Sequence, residues 1–301
     1  MTRRTKKAKK GINRKLLYSV VLTTLILLAV VVTYYLFFQP HTENWTAAII
    51  DQITVEGENL FNQDFNTTSA SLLNSSGFDA KYYPGDEVTV DFYKGLPLKG
   101  GKIIILRAHS TVRKDSDFVD LFTSEPYSES EEKKYSSYGD QISIAEFLGT
   151  GNKYFAIGPT FVDFSMKGRF DDDCVIILMG CSSLEEESVA KALVNKDAKV
   201  VIGWTGGVEL DDTDRSTLDL LEYLLADSPY TIKGAVDKIN DENPHNPYGA
   251  ELDYYPKSAW DYIVPTRKNE TSLGLTREPF QVLLFINLVK WELDSVTVFF
   301  N

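Results

Sequence analysis

The sequence predicts an α/β fold built on a mainly parallel sheet and preceded by one N-terminal transmembrane helix. Three observations predict it. Residues 102–109 and 174–180 are apolar runs rich in isoleucine, the pattern of strands buried on both faces of a parallel sheet. After residue 174, strand-like and helix-like stretches alternate with short connections, which marks a sheet covered on both sides. Ahead of this body, Leu16–Phe38 is a run of 23 uncharged and mostly apolar residues.

The elements follow in order. Trp45–Asp51 reads as a short buried strand. Leu60, Phe61, Phe65, Leu72 and Leu73 recur at helical spacing, closed by Gly77. Phe78–Tyr83 reads as a second strand, stopped by Pro84-Gly85. Val88–Leu96 alternates like a strand, yet its place between two strands suits a crossover helix ended by Pro97. Residues 110–170 break the alternation. Phe118–Thr123 and Ile142–Leu148 read as a hairpin excursion over the sheet edge, with Tyr154–Ile157 another short strand. Regular order resumes with strand 174–180, helix 184–194, strand Lys199–Trp204, and helices Asp214–Leu225 and Ile232–Asn240. Phe280–Leu288 and Ser295–Phe300 are apolar enough for strands, and the charges between them argue against a second span.

Charge divides the chain into parts. The first fifteen residues carry eight basic groups, and no acid appears before Glu43. The whole chain is at −12, so residues 43–301 alone carry −20. A body that acidic repels phosphate backbones, which excludes a nucleic-acid partner. The apolar run measures roughly 34 Å as a helix, enough to cross a bilayer. Tyr34, Tyr35, Phe37 and Phe38 sit at its far end, where aromatic rings favour the interface. The basic head belongs inside, so the sequence predicts a single-pass protein of the cell membrane. The expected divisions are a cytoplasmic head (1–15), a span (16–38), an extracytoplasmic domain (43–257) and a C-terminal extension (258–301). A cleaved signal peptide fits less well, because its apolar core runs only about 7–15 residues before an Ala-x-Ala-like site. Four sequons, at Asn44, Asn66, Asn74 and Asn269, fall on the outer side, in keeping with this topology.

Two cysteines are too few for a disulfide framework. Cys174 and Cys181 lie on one predicted strand, seven apart and facing opposite ways, so they do not bridge. Neither Cys-x-x-Cys nor His-Glu-x-x-His spacing occurs, and Asp171–Asp173 and Asp211-Asp212 lack an EF-hand pattern. No phosphate-loop or dinucleotide motif is present. No metal and no cofactor is expected.

The chemistry-bearing residues sit where strands end. Lys102–His109 finishes in a histidine, and Cys174–Cys181 finishes in a cysteine. Ligands and chemistry collect at the carboxyl ends of parallel strands, and a thiol nucleophile needs a neighbouring base. Ser183 and Glu186 form a capping-box pattern, which places a helix N-terminus just after Cys181 and favours a thiolate there. Gly180 permits a tight exit from the strand. Main-chain N–H groups at Cys181 and beside His109 are candidates for an oxyanion hole. Cys174 stands at the other end of its strand and is read as structural.

These strands and their end residues, with Met179-Gly180-Cys181-Ser182 and the continuation Ala190–Leu193 to Ala198–Trp204, resemble the caspase-like (clan CD) cysteine peptidases. The likeness covers about residues 46–257 and is closest in pattern to gingipain and CHAT-type domains. It implies a caspase-like three-layer sandwich with Cys181 as nucleophile and His109 as catalytic histidine. Ser110, Gly180 and Ser182 take oxyanion or supporting places, while Trp204, Asp211 and Asp212 fall where the family builds its substrate pocket. The family's histidine is followed by glycine, and here Ser110 stands there. Members that cleave after basic residues carry Asp two positions before the cysteine, where this chain has Met179.

The function expected is that of a membrane-anchored, extracytoplasmic cysteine peptidase that forms an acyl-enzyme on peptide or protein substrates. The alternatives are a catalytically inactive caspase-like surface module for binding or sensing, and a structural envelope protein.

Overall fold

The computed structural model describes residues 24–26, 45–147, 150–242 and 248–268. The chain divides into two compact units, Met1–Glu43 and Asn44–Asn301. In the first, residues 24–26 are helical and exposed. The remainder of the expected 16–38 span lies outside the described residues, as do the 1–15 head and residues 269–301. Among the described residues, no helix is long and apolar enough to cross a membrane.

The second unit is a mixed α/β body centred on a six-stranded sheet. Its strands are β1 (Thr46–Asp51), β2 (Asp79–Tyr83), β3 (Ile103–Arg107), β8 (Val175–Leu178), β9 (Val200–Trp204) and β10 (Leu252–Tyr255), in the spatial order β10-β9-β8-β3-β1-β2. All pair in parallel except β10, which runs antiparallel to β9. The consecutive isoleucines of β3 are buried on both faces because a layer covers each side. Ile103 and Ile105 point into one apolar cluster, and Ile104 and Leu106 into the other.

The first cluster gathers Phe65 and Leu73 of α1 (Gln63–Ser75), Leu220, Leu221 and Leu224 of α6 (Leu210–Leu225), and Ala235 and Ile239 of α7 (Ile232–Glu242). Helix α1 starts where the Asn62 side chain accepts the Phe65 N–H, and stops at Gly77, whose φ of +94° suits glycine. The opposite cluster is filled by α2 (Val90–Lys94), α4 (Pro159–Phe164), α5 (Ser188–Asn195) and the inner face of a second sheet. Each fully buried Leu, Ile or Phe stabilises such a sandwich by about 1.5–3 kcal/mol.

That second sheet is antiparallel, ordered β4-β5-β7-β6, from β4 (Ser110–Val112), β5 (Val119–Pro126), β6 (Ile142–Glu146) and β7 (Lys153–Ile157). Between β5 and β6 lies the short helix α3 (Glu129–Tyr135). The excursion expected as a hairpin over the sheet edge is this separate four-stranded sheet. It leaves from β3, third strand from the β2 edge, and the chain returns to β8 directly beside β3.

Two helix boundaries also differ from expectation. The helix expected at 184–194 begins only at Ser188, because the Ser183 hydroxyl turns inward instead of capping. It donates to the Leu178 carbonyl at 3.3 Å and accepts the Trp204 N–H at 3.0 Å. Helix α6 begins at Leu210, four residues before its expected start, with Asp211 and Asp212 in its first turn, where acidic groups complement the helix dipole.

Candidate active site

Strands β3 and β8 pair with Leu106 opposite Leu178. His109 and Cys181 each lie three residues beyond that pair in sequence, just past the carboxyl ends of the two strands. The Met179 N–H extends the pairing by donating to the Leu106 carbonyl at 3.0 Å. One step further, the Ser110 hydroxyl donates to the Cys181 carbonyl at 2.7 Å, tying the two exits together. Gly180 makes this approach possible. A Cβ there would lie 2.3 Å from Ser110 Oγ and 2.4 Å from the Ala108 carbonyl oxygen, well inside contact distance.

The two side chains point to different neighbours. The His109 ring lies against Phe147 with centroids 4.6 Å apart, and against Phe122 at 5.7 Å. Its main chain is held on both sides: its N–H donates to Gln52 Oε1 at 3.0 Å, and its carbonyl accepts the Phe122 N–H at 2.9 Å. His109 Nε2 is buried with no hydrogen-bond partner among the described residues. Burial, and secondarily the positive charge of Arg107, push the imidazole pKa down to about 4. The ring is therefore neutral at pH 7 and keeps a lone pair. The half-buried Cys181 Sγ accepts the Val208 N–H at 3.4 Å and approaches the Val208 carbonyl at 3.5 Å. Its hydrogen-bonding partners are the Val208 main chain and not His109 Nε2, which has none among the described residues.

The other expected site residues divide clearly. Cys181 N–H donates to no acceptor among the described residues, whereas Ser182 N–H is spent on the Gly206 carbonyl at 2.8 Å. Ser182 sits at φ +55°, a left-handed conformation that costs a non-glycine residue about 1 kcal/mol or more. Trp204, expected at the substrate pocket, turns inward. It is 2% exposed, and its indole N–H donates to Thr213 Oγ1 at 2.9 Å. That hydroxyl in turn donates to the Met179 carbonyl at 3.0 Å, so Trp204 braces the strand that delivers the cysteine. Asp212 pairs with Arg215 at the surface. Asp211 is exposed and lines a polar cavity of about 310 Å³, together with Asn59, Asn62, Asp64, Arg107 and Asp214. Cys174 is fully buried at the far end of β8, and both thiols are free. Burial pushes the Cys174 thiol pKa well up.

Sequence reasoning missed the charge cluster under this site. Arg107, the last residue of β3, is fully buried. It donates to Asp214 through Nε at 2.8 Å and Nη2 at 3.0 Å, and through Nη1 to Asp51 at 2.8 Å and the Leu60 carbonyl at 3.0 Å. Burial raises the Asp51 pKa, against the lowering effect of Arg107. All three partners lie far from Arg107 in sequence, and a strand-end arginine gives no sign of where its carboxylates are. Gln52, Phe122, Phe147, Val208 and Thr213 were missed for the same reason.

At the opposite end of the sheet, Asp171 and Asp173 accept the Lys102 ammonium at 2.9 and 3.1 Å. Among the described residues, no three His, Cys, Asp or Glu side chains are grouped so as to hold a metal ion.

Two solved structures are similar to this chain. The complex of the pro- and mature domains of RgpB from Porphyromonas gingivalis is 12% identical, with a TM-score of 0.39, and the match covers 74% of this chain and 47% of that one. The Arg-specific cysteine proteinase gingipain R (RgpB) is 13% identical, with a TM-score of 0.36, over 74% of this chain and 46% of the other. This chain spans about half the length of the solved chains it matches. The likeness is coarse. No protein-family model matches the sequence, and no curated protein matches it.

Proposed function

We propose that this protein is a membrane-anchored, extracytoplasmic cysteine peptidase of caspase-like type, with Cys181 as nucleophile and His109 as its base. The observation that carries the reading is the matched exit of β3 and β8, locked by the Ser110–Cys181 hydrogen bond at 2.7 Å. Two adjacent parallel strands deliver a thiol and a neutral imidazole to one end of the sheet, where such folds place their chemistry.

The chemistry follows from these groups. Neutral His109 accepts the thiol proton on Nε2, once the sulfur turns away from Val208 and toward the ring. Catalytic hydrogen bonds are often long or poorly aligned without substrate and tighten around it. The sulfur attacks the peptide carbonyl carbon, and the carbonyl electrons move onto oxygen, which the Cys181 N–H is placed to receive. Collapse breaks the C–N bond, and the amine leaves with the proton from the imidazolium. Water, deprotonated by His109, then cleaves the thioester, releasing a carboxylic acid and restoring the thiol. Substrate is a peptide or protein chain, and the apolar 16–38 segment holds the enzyme at the membrane with its body outside the cytoplasm.

The test is covalent labelling of the detergent-solubilised full chain with a peptide chloromethyl ketone or iodoacetamide. Labelling is expected at Cys181 and is expected to slow sharply in His109→Ala. Labelling at an unchanged rate in that variant, or none at Cys181, would falsify the dyad.

A further inference from the structure

The two most exposed large apolar side chains of the body among the described residues are Phe164, at 78% exposure, and Leu98, at 77%. They lie at the same end of the molecule. The Lys167 N–H donates to the Lys94 carbonyl at 2.7 Å, and the space beside Gly168 is bounded by the Leu98 side chain at 3.5 Å. Phe164, Lys94 and Lys167 line one open cavity of about 440 Å³. Lys99 follows Leu98 and stands over the Phe92 ring at 4.6 Å. Three lysines thus stand beside two exposed apolar side chains, with Asp91 3.9 Å from Lys94, Asp163 beside Phe164 in sequence, and Asp171 and Asp173 paired with Lys102 at the same end of the sheet.

The patch lies at the amino-terminal end of the parallel strands. Met166 accepts from Lys196, just before β9, and Lys102, just before β3, donates to Thr46 at the start of β1. Thr46 is eight residues past Phe38, the end of the apolar run. Eight residues span at most about 28 Å.

We infer that this end of the sheet rests on the bilayer surface, with Phe164 and Leu98 entering the interface and Lys94, Lys99 and Lys167 meeting anionic phospholipid headgroups. The inference rests on the membrane anchor proposed above. Apolar side chains with lysines beside them are the composition of an interfacial contact, in which the apolar groups bury while the ammonium groups reach the phosphates. The site at the other end of the strands then faces away from the membrane.

The experiment uses the full chain in vesicles of phosphatidylcholine with and without phosphatidylglycerol. An environment-sensitive fluorophore is attached at Phe164→Cys, and separately at Tyr248→Cys, both in a Cys181→Ser background. The inference expects a blue shift and quenching by brominated acyl chains at position 164, neither at position 248, and loss of the shift at 164 in Lys94→Glu/Lys167→Glu. Protein that floats with vesicles but reports water at position 164 overturns this inference and leaves the anchor standing. Protein that fails to float with either vesicle overturns both. Equal shifts at 164 and 248 overturn the proposed orientation.

Discussion

The Ser110 hydroxyl donates to the carbonyl of Cys181 across 2.7 Å, binding the residue after the candidate base to the candidate nucleophile. A side chain where glycine was expected thus acts as a staple between two strand exits. Ser110→Ala removes one hydrogen bond and is expected to cost about 1 kcal/mol of stability. The larger effect is expected on reactivity, because the Cys181 peptide is freed. Labelling of Cys181 should slow several-fold while the urea midpoint moves little, and Ser110→Thr should recover part of the rate. Equal labelling in wild type and Ser110→Ala would assign the bond a purely structural role.

Gly180→Ala tests the same junction sterically. Its Cβ would meet both Ser110 Oγ and the Ala108 carbonyl, and the latter is backbone that cannot swing aside. Overpacking of this kind costs about 1–3 kcal/mol. Denaturant unfolding should show that loss, and near-neutral behaviour would mean that the exits separate easily.

Arg107→Met leaves Asp51 and Asp214 buried without their cation. Breaking a buried pair from one side costs about 3–5 kcal/mol. The variant is expected to unfold at markedly lower denaturant, and Arg107→Met with Asp214→Asn should regain part of the loss. A double variant no better than the single one would show that charge is not the cause.

His109 carries a pH signature. Its folded pKa is lowered to about 4 by burial and by Arg107, so the unfolded chain binds the proton more readily. The contribution to stability is present above the ordinary histidine value of about 6.5 and is lost as pH falls from there toward 4. A shift of that size corresponds to about 3 kcal/mol. Wild type should lose more stability than His109→Gln between pH 7 and pH 4.5 in paired denaturant titrations. Parallel losses would place the ring in water.

The strands were legible because burial on both faces writes itself as unbroken apolar runs, as in Ile103–Leu106 and Val175–Leu178. The identity of the strand-end residues was legible for the same reason, since a run that stops exposes what stops it. The side-chain directions were not. Ser183 looked like a helix cap until Trp204 claimed its hydroxyl, and that contact joins residues 21 positions apart. Trp204 looked like a pocket wall because its strand ends at the right level, yet burial and the Thr213 bond turn it inward. Arg107 went unread because a buried cation is recognised by its two carboxylates, and these come from β1 and α6.

The excursion between β3 and β8 has a consequence for assembly. The sheet partners Leu106 and Leu178, after which His109 and Cys181 follow, are separated by 72 positions, with a complete second sheet strung between them. Long-range strand pairing of this kind closes late, after local elements have formed. The Val208 contacts of the thiol are therefore expected to form late in folding, and its rate of alkylation during refolding would time that step.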